Sequence, residues 1–216
     1  GRSLDNDTYS TDIPSDTNAT SYTVYYKVEG DSNINDVAAQ SISVSIAKVT
    51  PTVTAPTAKV LTYNGSQQEL ANEGSVDFGT MMYKVGSDSW STSIPTRMKG
   101  GSYELSYKVV GDSNINDVAA TSINCSINEK EVTATVELSE TSYTYNNTAF
   151  EPSVTVKDGS TVIDPSEYTA TYSNNINAGT CTVTISDNTG GDYNVIGSAT
   201  FTINKVTPTV TAPTII

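Results

Sequence analysis

An all-β fold built from tandem antiparallel sandwich repeats is what this sequence predicts, and three observations carry the prediction. Two ten-residue strings each occur twice: Gly-Asp-Ser-Asn-Ile-Asn-Asp-Val-Ala-Ala at 30–39 and 111–120, and Lys-Val-Thr-Pro-Thr-Val-Thr-Ala-Pro-Thr at 48–57 and 205–214. Self-similarity at a fixed spacing marks a repeat architecture. Apolar and polar residues alternate with period two along most segments, as half-buried strands require. Gly, Asn, Asp and Pro punctuate those segments at short intervals, as short strands joined by turns require.

The first string recurs after 81 positions, and that spacing aligns 1–47 with 82–128. Tyr9 then matches Trp90, and Ile13-Pro14 matches Ile94-Pro95. Tyr22, Val24, Tyr26 and Val28 match Tyr103, Leu105, Tyr107 and Val109. The predicted organisation is the C-terminal half of an A repeat at 1–47, a complete A repeat at 48–128, a divergent B repeat at 129–204, and the first strand of a further A repeat at 205–216.

Within repeat A, Val49, Val53 and Ala55 alternate with threonines, and Pro51 and Pro56 break that strand or hold it to an edge. Leu61 and Tyr63 precede an Asn64-Gly65 turn, and Met81, Tyr83 and Val85 form a third inward set. Tyr103, Leu105, Tyr107 and Val109 share one face of the clearest strand. Ile123, Cys125 and Ile127 close the repeat, with room for one helical turn across 114–120. Repeat B follows the same plan. Its strands are expected at 132–136, around Tyr143, at Val154 and Val156 before an Asp158-Gly159 turn, and then at 168–172, 181–185 and 199–203. Seven short strands per repeat suit an antiparallel sandwich of immunoglobulin type. A β-grasp-like mixed sheet is the alternative, because period alone does not fix strand order.

Composition excludes several roles. Lys plus Arg number 11 against 24 Asp plus Glu, a net charge of -13. Nucleic acid and anionic membranes both select for cations, so neither is an expected partner. No apolar run is long enough to span a membrane. There is no histidine, the commonest general base and metal ligand. Thr, Ser and Asn fill the polar positions, which suits an extracellular or cell-surface chain.

The sequence offers few candidate sites. Cys125 and Cys181 each fall in an inward set, in different repeats, so they are expected as free core thiols. Residues 112–117 begin like a calcium loop, but Asp117 and Ile123 stand where the loop needs Gly and Glu. An Asx-rich turn is the expectation there, with no metal and no cofactor. A lysine–asparagine cross-link needs a core lysine, whereas Lys27 and Lys108 fall on outward faces and Lys48, Lys130 and Lys205 at junctions. Trp90, Tyr9 and Tyr25 are the ligand candidates, as aromatic platforms for sugar. Trp90 and Tyr9 are also positioned to pack under a loop. No acid–base pair is marked among the carboxylates, and a non-enzyme is expected.

At 61–65, 90–95 and 107–112, with Tyr143-Thr144-Tyr145-Asn146, Asn177-Ala178-Gly179-Thr180 and Gly191-Asp192-Tyr193-Asn194, the chain resembles tandem repeats known as MBG or bacterial Ig-like. The resemblance implies a stalk or adhesin segment of a bacterial surface or secreted protein, and no catalytic residues. Host or cell-surface glycans or proteins are the expected partners, and a carbohydrate- or mucin-binding module engaging them through loops at one end of a repeat is the alternative function. A rod longer than wide is the expected form. Because 205–214 repeats a strand whose counterpart is missing before residue 1, head-to-tail strand addition between chains is a further expectation.

Overall fold

A computed structural model describes residues 1–212 and is all-β. Among the described residues, the one helical element is the three-residue 3-10 turn Pro165–Glu167. Asp164 caps it by accepting from the Ser166 amide, and Pro165 supplies the preset φ of a first helical position. Among the same residues no helix is long and apolar enough to cross a membrane.

Contacts divide the chain into two packing units. The first holds Gly1–Ala58, Ala71–Pro95 and Glu104–Asn124; the second holds Lys59–Leu70, Thr96–Tyr103 and Cys125 onward. In the first unit, Arg2–Ser3, Ser21–Val28 and Val37–Ser45 form an antiparallel sheet. Thr80–Val85 pairs antiparallel with residues 105–110. The predicted inward set there is buried: Met81, Tyr83, Val85, Leu105 and Val109 form a core. The strand expected from Val49 reduces to Val53–Thr54, which pairs with Ser75–Val76, while Val49 makes a single parallel bridge to Ile115. The buried Pro51 lies between them and donates no backbone bond.

In the second unit, repeat B forms two layers. One sheet runs Lys130–Thr133, Tyr193–Asn204, Gly179–Asp187 and Tyr168–Ser173, with Ser142–Thr144 also on Tyr193–Asn204. The other is Thr135–Leu138, Val154–Asp158 and Thr161–Val162. Between them lie Val132, Val156, Ile163, Cys181, Val183, Ile185, Val195, Phe201 and Ile203. The strand expected over 132–136 is thus two strands in two sheets. The chain crosses over at Ala134, whose amide donates to the Ile196 carbonyl. Gly197 makes room, since a Cβ there would lie 2.9 Å from Val136 Cγ2 and 3.1 Å from the Ala134 carbonyl.

Four expectations are corrected. The sheets are not purely antiparallel: Val60–Thr62 runs parallel to residues 126–128, and Lys130–Thr133 and Ser142–Thr144 run parallel to Tyr193–Asn204. A parallel pair needs a long crossover, and nearly the whole repeat supplies it. The helical turn across 114–120 is absent, because residues from Val118 already belong to the strand Val118–Asn128. The B-repeat hairpin turns on Gly159 and Ser160, between paired Asp158 and Thr161, one residue beyond the expected Asp158-Gly159. The strand expected over 205–216 does not form at 205–212, and its remainder lies outside the described residues.

Residues 1–47 share the backbone bridges of 82–128 and are more exposed. Arg2 bridges Ser10 as Tyr83 bridges Ser91, and Asp31 closes on Ile34 as Asp112 closes on Ile115. Yet Val28 is 52% exposed where Val109 is 1% exposed. Val44 and Ile46 are open to solvent where Cys125 and Ile127 are buried.

Candidate functional site

Trp90 and Tyr9 are both half-buried, and both sit against lysine. The Lys108 ammonium lies 4.6 Å from the Trp90 ring centroid and that of Lys84 lies 5.3 Å away. Lys27, the repeat counterpart of Lys108, lies 4.4 Å from the Tyr9 ring centroid. The bridges at Ser91 and Ser10 hold each ring in place beside its strand. A cation over an aromatic face is attracted by the ring quadrupole, and here it occupies a face that a sugar would need. Lys27 is also paired with Glu29 at 2.7 Å, and that hydrogen bond raises the Lys27 pKa. Tyr25 is half-buried, in register with Ser3 and Ser41 and without an aromatic at its counterpart Ser106. The structure therefore places Trp90 and Tyr9 in one repeated packing element and does not build Tyr25 into it. The lysines that complete the element stand 18 residues after each ring, and that constant spacing was the signal in the sequence.

The duplicated Gly-Asp-Ser-Asn-Ile-Asn-Asp stretch is an Asx turn whose carboxylates are already engaged. Asp117 accepts from the Gly111 amide at 2.7 Å, and Asp36 accepts from Gly30 at the same distance. Asp112 accepts from the Asn114 amide at 2.7 Å, as Asp31 does from Asn33. Glycine is required at its head: a Cβ on Gly30 would lie 1.9 Å from the Ile34 carbonyl, and one on Gly111 2.2 Å from that of Ile115. Among the described residues, no three His, Cys, Asp or Glu side chains converge as metal ligands.

The Gly-Asp turns instead make joints between repeats. Asn114 Oδ1 accepts the backbone N–H of Ala19 at 2.7 Å. In repeat B, Asp192 Oδ1 accepts the N–H of Gly100 at 2.6 Å. Ala19 and Gly100 are equivalent positions 81 residues apart, so the same joint is made twice. Each joint is braced by a tyrosine: Tyr22 donates to the Asn18 carbonyl at 2.8 Å, Tyr103 to that of Lys99 at 2.7 Å. Asp192 is 9% exposed, lies 3.7 Å from Lys99 Nζ, and returns its carbonyl to the Lys130 amide at 3.0 Å. Tyr63 and Tyr193 meet edge to face, 5.2 Å between centroids. These joint residues were missed in the sequence, because a joint shows only when the spacing between repeats is compared.

The remaining candidates are two thiols, an ion pair and an open groove. Cys125 and Cys181 are free and buried; burial pushes both thiols up, and Cys181 Sγ donates to the Asn174 carbonyl at 3.1 Å. Lys130 pairs with Asp158, and that hydrogen bond raises its pKa. An open groove of about 380 Å3 carries Glu129 and Glu131, whose carboxylates accept from the Gly190 amide at 3.0 Å and from Asn194 Nδ2 at 2.8 Å. Comparison with protein-family models, curated proteins and solved structures finds no match for the chain.

Proposed function

We propose that this chain is a non-catalytic, load-bearing spacer: a segment of a tandem β array in an extracellular bacterial surface or secreted protein. The observation that carries the reading is the direction of the closing strands. In repeat A, Val60–Thr62 lies parallel to residues 126–128; in repeat B, Lys130–Thr133 lies parallel to residues 193–196. When a repeat is pulled from both ends, an early strand that lies parallel to the last one is drawn past it along their axes. Their hydrogen bonds then carry load together, whereas an antiparallel hairpin opens one bond at a time. The doubly used joint supports an array, because it gives successive repeats the same hydrogen-bonded connection.

The finer fold we propose is the mixed, β-grasp-like one, in place of the purely antiparallel immunoglobulin-type sandwich. The parallel closing pairs support it, and the motifs at 61–65 and 191–194 support assignment to the MBG or bacterial Ig-like repeats. Surface location is supported by the net charge of -13 and the Thr-, Ser- and Asn-rich exposed positions. The carbohydrate-binding alternative loses support from the lysines on the Trp90 and Tyr9 rings.

Single-molecule stretching tests the reading. Release of the 75 residues from Lys130 to Asn204 should lengthen the chain by roughly 230 Å in one step, since the strand Tyr193–Asn204 already holds the two ends about 35 Å apart. Gradual extension without such a step would remove the mechanical role.

A further inference from the structure

The chain contains a single Asn-Gly step, Asn64-Gly65, and repeat B carries the same turn with a different second residue. Each turn follows a strand of a parallel closing pair: Val60–Thr62 lies along residues 126–128, and Ser142–Thr144 along 202–204. The next tyrosine continues each pair, the Tyr63 amide donating to the Asn128 carbonyl at 2.8 Å and the Tyr145 amide to that of Asn204 at 2.9 Å. Asn64 Oδ1 then accepts the Ser66 amide at 2.9 Å, and Asn146 Oδ1 accepts the Thr148 amide at the same distance. Both are Asx turns, and both asparagines are exposed.

The two turns differ at the residue whose backbone nitrogen follows the asparagine. Gly65 has φ 73° and open space where a Cβ would stand. Its N–H has no acceptor among the described residues. Asn147 holds the same left-handed conformation at φ 64°, but it carries a Cβ beside its nitrogen, and its side chain accepts from the Tyr145 hydroxyl at 3.1 Å. An unhindered amide nitrogen next to a side-chain carboxamide is an internal nucleophile for it. The Ser66 amide already donates to Asn64 Oδ1, the oxygen on which negative charge develops during that attack, as an oxyanion-hole donor does.

We propose that Asn64 is a site of self-modification, at which the chain converts its own asparagine to aspartate and β-linked iso-aspartate. The Gly65 nitrogen loses its proton to solvent base and attacks Asn64 Cγ. The Cγ–Nδ2 bond breaks, and Nδ2 leaves as ammonia with a proton from solvent. The resulting succinimide takes up one water. Opening at the Cγ carbonyl gives aspartate; opening at the main-chain carbonyl gives iso-aspartate, with the chain now running through Cγ. Water is the one co-reactant, and nothing is oxidised or reduced. The reaction is selective. At Asn146 the Asn147 Cβ crowds the attacking nitrogen. At Asp158-Gly159 the glycine is equally open, with φ 60°, but Asp158 is paired with Lys130, and an ionised carboxylate is a poor electrophile. Iso-aspartate adds a methylene to the backbone and a negative charge directly after Val60–Thr62. It therefore loosens the end of the pair that closes repeat A and leaves the parallel pairs of repeat B unchanged. Loss of ammonia is irreversible, so the modified fraction records the age of the chain.

The test is incubation of the full chain in buffered heavy-oxygen water at neutral and mildly alkaline pH, followed by peptide mapping with mass spectrometry. Asn64 should acquire the mass of an acid in place of an amide, with one heavy oxygen, in two chromatographically distinct products. Conversion should be faster at the higher pH, because the attacking nitrogen must lose its proton. Gly65→Asn, which copies the repeat B turn and suits the left-handed φ, should slow the reaction at least about tenfold by displacing the reacting atoms. Amide exchange at Tyr63 should rise in the modified fraction while that at Tyr145 stays the same. Conversion at Asn146 as fast as at Asn64, or a Gly65→Asn chain that reacts like the parent, would overturn the proposal. So would a folded chain that stays intact at Asn64 while the urea-unfolded chain converts, which would mean that the turn protects the site.

Discussion

Val28 and Val109 occupy the same position in two copies of one repeat, so Val28→Ala and Val109→Ala make the same chemical change against the same strand. Removing two carbons from a fully buried site forfeits about 1.6 kcal/mol of transfer free energy. At Val109, 1% exposed, that whole amount is lost. The void closes only partly, which adds roughly 1 kcal/mol and brings the loss to about 2–3 kcal/mol. At Val28, 52% exposed, half the transfer amount is already absent and no closed void forms, so the loss is about 0.8 kcal/mol. Native-state hydrogen exchange reads each effect in its own strand, Ser21–Val28 or Gly101–Val110, without assuming that the chain unfolds in one step. In dilute solution, Val109→Ala should accelerate exchange in its strand far more than Val28→Ala does in its own. Equal effects would refute the burial argument.

Asp192→Ala leaves the Gly100 amide without its acceptor at a nearly buried joint, and should cost about 1–3 kcal/mol. Thermal denaturation of the variant should show the loss, and Asp192→Asn, which keeps an acceptor oxygen, should recover much of it. The Ser3 hydroxyl and the amides of Asp7 and Thr8 hold the Asp5 carboxyl at about 2, below its ordinary 3.8. The stabilisation from that turn is therefore complete above 3.8 and lost as pH falls through about 2; carbon-13 titration of Asp5 should place its midpoint there, and Ser3→Ala should move it upward. Burial raises the phenols of Tyr168, Tyr172 and Tyr193 above 10.0, so their contribution is present at neutral pH and lost as pH rises past that range, which tyrosinate absorbance would follow. Trp90→Ala should cost about 1–2 kcal/mol through lost packing against Lys84 and Lys108, and binding to a glycan array should be absent before and after the change.

Faces were readable in the sequence, partners were not. The alternation Cys181, Val183, Ile185 gives three buried residues in one strand because period two maps directly onto the two sides of a sheet. The same alternation is silent on which strand lies alongside, so the parallel closing pairs could not be read. The two-sheet path through Ala134 was hidden for a related reason: Val132 and Val136 both keep the inward phase across the crossover. The turn at Pro165–Glu167 was missed, although Asp164-Pro165 sets a capping residue before a fixed φ. The duplicated Asx turn was readable as a turn, from its side-chain chemistry. Its two roles, joint to the preceding repeat and seat for Lys48–Thr50, depend on residues far away in sequence.

Pulling geometry tests the load-bearing claim most directly. Repeat B is to be stretched from handles at Lys130 and Asn204, which shears the parallel closing pairs, and separately from Tyr168 and Asp187, the end of an antiparallel pair. The account predicts a single high-force rupture in the first geometry and unzipping at much lower force in the second. Equal rupture forces in the two directions would contradict it.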